Sequence, residues 1–171
     1  TTFSVNVQNA VSAGTGTNPV YCGNQGQLDL FNLLTGTYTT GGIWTETTAT
    51  PSGTLTGNIW DSTTVLAGTY TFKYSVSGSC NSDDEQVSIT LKPIPATPAI
   101  TGDALVCTGN TIHLNTATVA NATYVWTGPN GFSSSLQNPV IASATALNSG
   151  TYSLTVTVDG CSSLPTTFSV N

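Results

Sequence analysis

Polar and apolar residues alternate along several short stretches of the chain, which is the pattern of strands with one buried face. From Tyr152 to Val158 every second residue is apolar, and Tyr70–Val76 alternates in the same way. Turn signals such as Gly128–Gly131 and Asp159-Gly160 interrupt the alternating stretches. About seven short strands in each half of the chain, bounded by turns, predict an all-β fold of the sandwich type.

The two halves of the chain share an ordered set of residues, which indicates an internal duplication. Each half has a cysteine, a tryptophan, a Gly-Thr-Tyr triplet and a second cysteine: Cys22, Trp44, Gly68–Tyr70 and Cys80, then Cys107, Trp126, Gly150–Tyr152 and Cys161. The two cysteines are 58 residues apart in the first half and 54 in the second. We therefore predict two tandem β-sandwich modules, 7–92 and 99–171, joined end to end by a stiff Pro-rich linker, 93–98.

The chain opens and closes on the same six residues. These are Thr1, Thr2, Phe3, Ser4, Val5 and Asn6 at the start and Thr166, Thr167, Phe168, Ser169, Val170 and Asn171 at the end. The offset of 165 residues indicates one period, plus a short overlap, of a longer tandem array; the alternative is a subunit whose two ends fill equivalent positions in a polymer. Residues 1–6 are then an end strand that overlaps the preceding repeat and continues its last sheet, by covalent continuity or by strand addition. A start at Thr-Thr-Phe also predicts a processed or excerpted segment.

Charge and composition exclude several classes of function. Only two residues are Lys or Arg and the net charge is -6, so a phosphate backbone cannot be neutralised and nucleic acid is excluded as a main partner. No apolar run approaches the roughly 18 residues that span a bilayer, so no membrane insertion is expected. The single histidine and the lack of a catalytic grouping predict that the chain is not an enzyme and needs no cofactor.

Four cysteines in a charge-poor β chain predict an oxidising, extracellular location. Three pairings are possible. The repeat symmetry favours Cys22–Cys80 and Cys107–Cys161, which would close each module on itself. A zinc site is disfavoured because no Cys-x-x-Cys spacing occurs.

The acidic cluster and the third tryptophan can each be interpreted in two ways. The acidic cluster Asp83, Asp84 and Glu85 is expected to be a solvated hairpin, with a Ca²⁺ site as the weaker alternative. Trp60 has no counterpart in the second half; core packing is favoured, and an exposed aromatic that binds sugar or a partner is the alternative. The equivalent residues Trp44 and Trp126 are predicted to lie in the core.

Asn148–Tyr152 resembles the approach to the penultimate strand of immunoglobulin-like domains, where a tyrosine packs at a corner. Trp44 and Trp126, on an earlier strand, fit this family as well. The second cysteine of each half does not follow the tyrosine by two residues as in antibody domains. A disulfide there would join one end of the sandwich rather than cross its centre.

A closer resemblance is to the Ig-like repeats of very large surface proteins of Bacteroidota, the gliding-motility-associated and adhesin-like proteins exported by type IX secretion. The stretches that carry it are Tyr124–Ser133, Gln137–Pro139 and Ser149–Tyr152 in the second half, and Asp29–Phe31, Gly41–Thr45 and Ala67–Phe72 in the first. It covers nearly the whole chain and implies a location at the cell surface.

Together the repeats and the resemblance predict a structural function. The chain is expected to be a repeat unit of an extracellular adhesin or filament, a stiff disulfide-stapled fibre whose partners are neighbouring copies of the same repeat. The alternative is a secreted Ig-like module that binds a glycan or surface polymer through Trp60 or the turn loops. An accessory domain of an enzyme is the third class, which the strict period of 165 residues disfavours.

Overall fold

Strands make up nearly all of the regular structure in residues 2–171, the part of the chain that this computed structural model describes. The chain divides into two compact units, Thr1–Pro93 and Ile94–Asn171. The segment 93–99 carries no regular structure. The residue limits of the modules and of the linker given above stay a prediction.

Residues 2–93 of the first unit contain nine strands and one 3-10 turn. They are β1 (Thr15–Gly16), β2 (Val20–Cys22), β3 (Gln27–Asp29), the turn Leu30–Leu33, β4 (Leu34–Thr35), β5 (Ile43–Glu46), β6 (Thr54–Thr56), β7 (Ile59–Asp61), β8 (Gly68–Ser77) and β9 (Ser82–Lys92). One sheet has the order β2-β9-β8-β5 and another the order β3-β7-β6, while β1 pairs with β4. The strand β2 runs parallel to the end of β9, with Cys22 opposite Lys92.

The second unit contains eight strands and two 3-10 turns. They are β10 (Ile100–Gly102), β11 (Ile112–Thr116), β12 (Ala122–Thr127), the turn Pro129–Gly131, β13 (Ser133–Ser134), β14 (Val140–Ile141), the turn Ala146–Asn148, β15 (Gly150–Val158), β16 (Cys161–Ser162) and β17 (Thr166–Val170). One sheet has the order β13-β12-β15-β16, with β17 also paired to β15, and the other is β10-β11-β14.

Each unit has its own apolar core, to which alternate residues of the long strands contribute. In β8 the buried residues are Tyr70, Phe72, Tyr74 and Val76, and in β15 they are Tyr152, Leu154 and Val156. Successive side chains of a strand point to opposite faces, so the alternation in the sequence becomes one buried face and one solvated face. The all-β sandwich prediction is confirmed.

A tyrosine corner recurs in both units. The hydroxyl of Tyr152 donates to the Asn148 carbonyl oxygen at 2.8 Å, and the hydroxyl of Tyr70 donates to the Leu66 carbonyl oxygen at 2.8 Å. Both rings are buried, and burial raises the pKa of the Tyr152 phenol. Each bond therefore fixes the loop that precedes the central strand against the core.

Substituting Tyr152→Phe is expected to destabilise the second unit by about 1–2 kcal/mol, because the substitution removes a buried hydrogen bond and leaves its acceptor unpaired. Tyr70→Phe should destabilise the first unit by a similar amount. Urea denaturation checks both values, with the partly exposed Tyr21→Phe as the control. Loss of stability no greater than that of the control would show that the corners do not hold the loops.

Candidate interface at the chain ends

The N-terminal segment is open to solvent. Residues 2–10 are all exposed and carry no strand. The exposed fractions of Phe3, Val5 and Val7 are 91%, 72% and 86%. These three apolar side chains alternate with polar ones, which is the pattern of a strand that has one face to bury. Thr1 lies outside the described residues.

The same sequence at the C-terminus forms β17. Its register against β15 runs from Leu154 opposite Thr166 to Gly150 opposite Val170. Val170 is buried in the core of the second unit, and Phe168 packs against that core. The counterparts of these two residues are Phe3 and Val5, so an apolar face that is buried at one end is exposed at the other.

The lead-in segment, Val11–Asn18, runs beside the free edge of β9. Three side-chain oxygens at alternate positions accept backbone N–H groups from it: Asn81 from Val11 at 2.8 Å, Asp83 from Ala13 at 2.9 Å and Glu85 from Gly16 at 2.7 Å. Asn18 then accepts the Ser88 N–H at 2.8 Å, and the chain enters β2. Side chains thus replace the backbone ladder along this edge.

This arrangement gives the acidic cluster a role that the sequence did not predict. The carboxylates of Asp83 and Glu85 are engaged with backbone N–H groups, and Asp84 points to the other face of β9 and is exposed. In residues 2–171 no three His, Cys, Asp or Glu side chains are grouped so that they could hold a metal ion. The cluster therefore anchors the lead-in segment, and neither the solvated hairpin nor the Ca²⁺ alternative describes it fully.

The predicted pairing of the cysteines within each module is wrong. Cys22 and Cys161 are disulfide-bonded, whereas Cys80 and Cys107 are free and exposed. In the first unit Cys22 lies opposite Lys92, at the end of β9, and Cys80 precedes the start of that strand. An eleven-residue strand is about 33 Å long, and a disulfide needs Cα atoms within about 7 Å.

The same separation occurs in the second unit. Cys161 lies opposite Val158, the last residue of β15. Cys107 follows Val106, whose N–H donates to the carbonyl of Asn171, beside the start of β15. The length of β15, about 26 Å, separates the two cysteines. A Cys107–Cys161 bond is therefore excluded by the strand between them.

All three tryptophans belong to the core. Trp44 and Trp126 are buried as predicted, and neither indole N–H has a hydrogen-bond partner among residues 2–171. The alternative of an exposed, ligand-binding Trp60 is wrong: its exposed fraction is 0%, and its Nε1 donates to the Ser52 carbonyl oxygen at 3.0 Å. Trp60 stands opposite both Leu28 and Leu55, on β7, the middle strand of its sheet, and its ring lies on the buried face.

A groove of about 330 Å³ lies beside Trp44 in the first unit. Its lining residues include Phe31, Trp44, the exposed Ile43 and Asn58. The side chain of Asn58 donates to Asp29 at 2.7 Å. Trp44 is buried, whereas Phe31 is partly exposed. An exposed part of an aromatic ring beside an amide side chain is the kind of surface on which a sugar ring can stack and form hydrogen bonds.

His113 is exposed and pairs with Asp103. Oδ2 of Asp103 lies 2.8 Å from His113 Nδ1 and accepts the His113 backbone N–H at 2.9 Å. The side-chain hydrogen bond first, and then the backbone one, hold the pKa of the Asp103 carboxyl below its ordinary value of 3.8.

Proton NMR titration should therefore place the midpoint of Asp103 below 3.8. A carboxyl with a lowered pKa adds stability that is present above its ordinary pKa and is lost as the pH falls through the folded-state value. His113→Ala removes the largest cause, so the midpoint should rise toward 3.8. A midpoint that does not move in this variant would assign the shift to another group.

Comparison with known proteins shows similarity in fold but not in sequence. No family model and no curated protein matches this chain. Among solved structures, the chain is similar to the extracellular domains 3–5 of Drosophila OTK, with a TM-score of 0.52 and 12% identity over 91% of this chain and 58% of that one. This likeness identifies the fold as immunoglobulin-like.

Two other solved structures are similar at a lower score. Murine CEACAM1b has a TM-score of 0.48 and 13% identity, over 90% of this chain and 95% of that one. The amphioxus IgVJ-C2 molecule has a TM-score of 0.39 and 19% identity, over 61% of this chain and 60% of that one. The chain thus spans about three fifths of the amphioxus molecule and of the OTK fragment.

The oxidation state of two cysteines bears on location. The disulfide-bonded state of Cys22 and Cys161 is typical of oxidising compartments. None of the helical turns in residues 2–171 is long and apolar enough to cross a membrane.

Proposed function

We propose that the chain is one period of an extracellular tandem-repeat protein, a structural unit of a surface adhesin or filament whose main partners are neighbouring copies of itself. The observation that carries the proposal is the identity of residues 1–6 with residues 166–171. Because the second of these segments is the core-facing strand β17, the first is a strand of the same kind belonging to the preceding repeat.

The exposure of the N-terminal segment supports this assignment. Phe3 and Val5 are exposed at 91% and 72%, while the equivalent Val170 is exposed at 1%. Burying two large apolar side chains stabilises a protein by about 1.5–3 kcal/mol each. A preceding copy of the second unit offers the strand position, beside its β15, that buries this face.

The chemistry of the chain fits a fibre outside the cell. Oxidised Cys22 and Cys161 suit an extracellular compartment, and a disulfide limits the unfolding of small domains. Only 6% of the residues are charged, so long-range repulsion between neighbouring units is weak and allows close lateral packing. The resemblance to the Ig-like repeats of Bacteroidota supports a cell-surface location and a role in adhesion or gliding.

Immunogold labelling tests the proposal. Antibodies raised against residues 7–171 should label fibres on intact cells of the source organism and on shed material, with gold particles recurring along each fibre. The control is the same antibody absorbed with the purified chain. Labelling confined to monomeric protein in the medium would contradict a structural repeat.

A second candidate function is binding of a glycan, supported by the groove beside Trp44. Because Trp60 is buried, this groove replaces it as the binding surface. The measurement is a glycan array probed with the chain and with Asn58→Ala. Saturable binding that the variant loses would support this function, and absence of binding would leave the structural role alone.

A further inference from the structure

We propose that Cys107 of one copy and Cys80 of the next form a disulfide across the junction between repeats. The inference rests on the proposed tandem arrangement and specifies the contact that joins two copies. Its basis is the position of the two free, exposed cysteines. Cys80 lies near the N-terminal segment and Cys107 near the C-terminal one, and these two segments share the same six-residue sequence.

Cys80 lies beside the chain just after residues 1–6. It stands in the turn between β8 and β9, and its Sγ is 3.6 Å from the carbonyl oxygen of Gln8. The neighbouring Ser79 hydroxyl donates to the Gln8 side chain. At the other side of the turn, Asn81 bonds to both the N–H and the carbonyl of Val11. The turn that carries Cys80 is thus held against residues 8–11.

Cys107 lies beside the C-terminal end of the chain, at Asn171. The N–H of Asn171 donates to the Ala104 carbonyl at 2.9 Å, and the Val106 N–H donates to the Asn171 carbonyl at 2.9 Å. This is the bonding pattern of a parallel pair in which Leu105 stands opposite Asn171. If the register continues, Cys107 stands opposite the second residue after Asn171.

The sequence identity assigns that residue. Asn171 of one copy corresponds to Asn6 of the next, so the second residue after it is Gln8. Cys107 of the first copy therefore lies opposite the Gln8 whose carbonyl contacts Cys80 of the second. Paired strands are about 4.8 Å apart, so Cys107 of the first copy and Cys80 of the second both lie against Gln8. The proposal requires that their Cα atoms come within the roughly 4.4–6.8 Å of a disulfide.

The surface around Cys107 has room for the turn of the next copy. Cys107 lines a groove of about 320 Å³ together with Leu105, Val106 and His113. Leu105 is 82% exposed. The occupant we assign is the Gly78–Cys80 turn of the following copy. Its small residues fit the groove, and one lining residue, Val106, is hydrogen-bonded to Asn171, after which the next copy begins.

The bond forms by thiol–disulfide exchange. The Sγ–H bonds of Cys107 and Cys80 break, one Sγ–Sγ bond forms, and two protons and two electrons pass to a protein or small-molecule disulfide, which is reduced to two thiols. The oxidised state of Cys22 and Cys161 requires the same class of oxidant.

The test uses a tandem chain in which residues 7–171 of a second copy follow Asn171. In the junction variant, Cys80→Ser in the first copy and Cys107→Ser in the second leave only the two junction thiols. The matched control carries Cys107→Ser in the first copy and Cys80→Ser in the second, so that only the two outer thiols remain. Both proteins are oxidised at low concentration with glutathione disulfide, alkylated and digested without reduction.

Mass spectrometry should find a peptide pair linked through Cys107 and Cys80 in the junction variant, with no alkylation at either thiol. The outer-thiol control should show both cysteines alkylated. Equal alkylation in the two proteins would overturn the inference. Limited proteolysis at the junction separates the two proposals: a protected junction with free thiols overturns the disulfide alone, whereas a cleaved junction with free thiols counts against the tandem arrangement as well.

Discussion

Replacing Trp60 with alanine is expected to destabilise the first unit by about 3–5 kcal/mol, the range for removal of a fully buried large aromatic side chain. Its ring is completely buried and lies against Tyr70 and Phe72, with ring centroids 5.1 and 5.0 Å away. The substitution also removes the hydrogen bond to the Ser52 carbonyl. Urea denaturation monitored by hydrogen exchange measures the unfolding of the first unit separately from that of the second.

Leu66→Ala is the control for this prediction, because Leu66 belongs to the same unit and is 80% exposed. Leu66→Ala should change the free energy of unfolding of the first unit by no more than about 0.5 kcal/mol. If Trp60→Ala were as mild as Leu66→Ala, the indole would not be a core residue and the role of a surface aromatic would be open again.

Deleting Thr166–Asn171 is expected to unfold the second unit or leave it barely stable. The deletion removes β17, which pairs with β15 at five positions, and with it the buried Val170. Loss of Val170 costs about 1.5–3 kcal/mol, and each lost hydrogen bond costs about 1 kcal/mol. The total is comparable with the stability of a small domain, about 5–15 kcal/mol.

The matched control deletes the identical sequence from the other end. Residues 2–6 are exposed and carry no strand, so removal of residues 1–6 from the isolated chain should change the free energy of unfolding of either unit by less than about 0.5 kcal/mol. Circular dichroism and urea denaturation compare the two deletions. Equal effects would contradict the view that one segment is seated in its sheet and the other awaits a preceding copy.

Local alternation in the sequence predicts the strands β8 and β15, and the resemblance predicts the tyrosine corner. In β8 and β15 the apolar residues at every second position are the buried ones. The equivalent positions of Trp44 and Trp126 are both in the core. Tyr152 packs at a corner as the resemblance implies, and its hydroxyl donates to the backbone carbonyl four residues upstream. These features depend on neighbours within a few residues along the chain.

The features that the sequence did not predict depend on register between distant strands. Parallel pairing of β2 with the end of β9 places Cys22 a strand length from Cys80, and no local pattern indicates that pairing. The spacing of Asn81, Asp83 and Glu85 at every second residue is a signal for one-sided bonding, but its partner lies about 70 residues earlier. The sequence leaves open whether Trp60 is buried or exposed, because β7 has only three residues and so shows little alternation.

Electron cryomicroscopy of the native fibre shows whether residues 1–6 form the last strand of the preceding repeat. We expect one 165-residue period per asymmetric unit. In the map, the strand Thr-Thr-Phe-Ser-Val-Asn pairs with a β15 strand, and its density runs unbroken into Val7 of the next period. Isolated monomers, or fibres in which residues 1–6 lie outside every sheet, would contradict the claim.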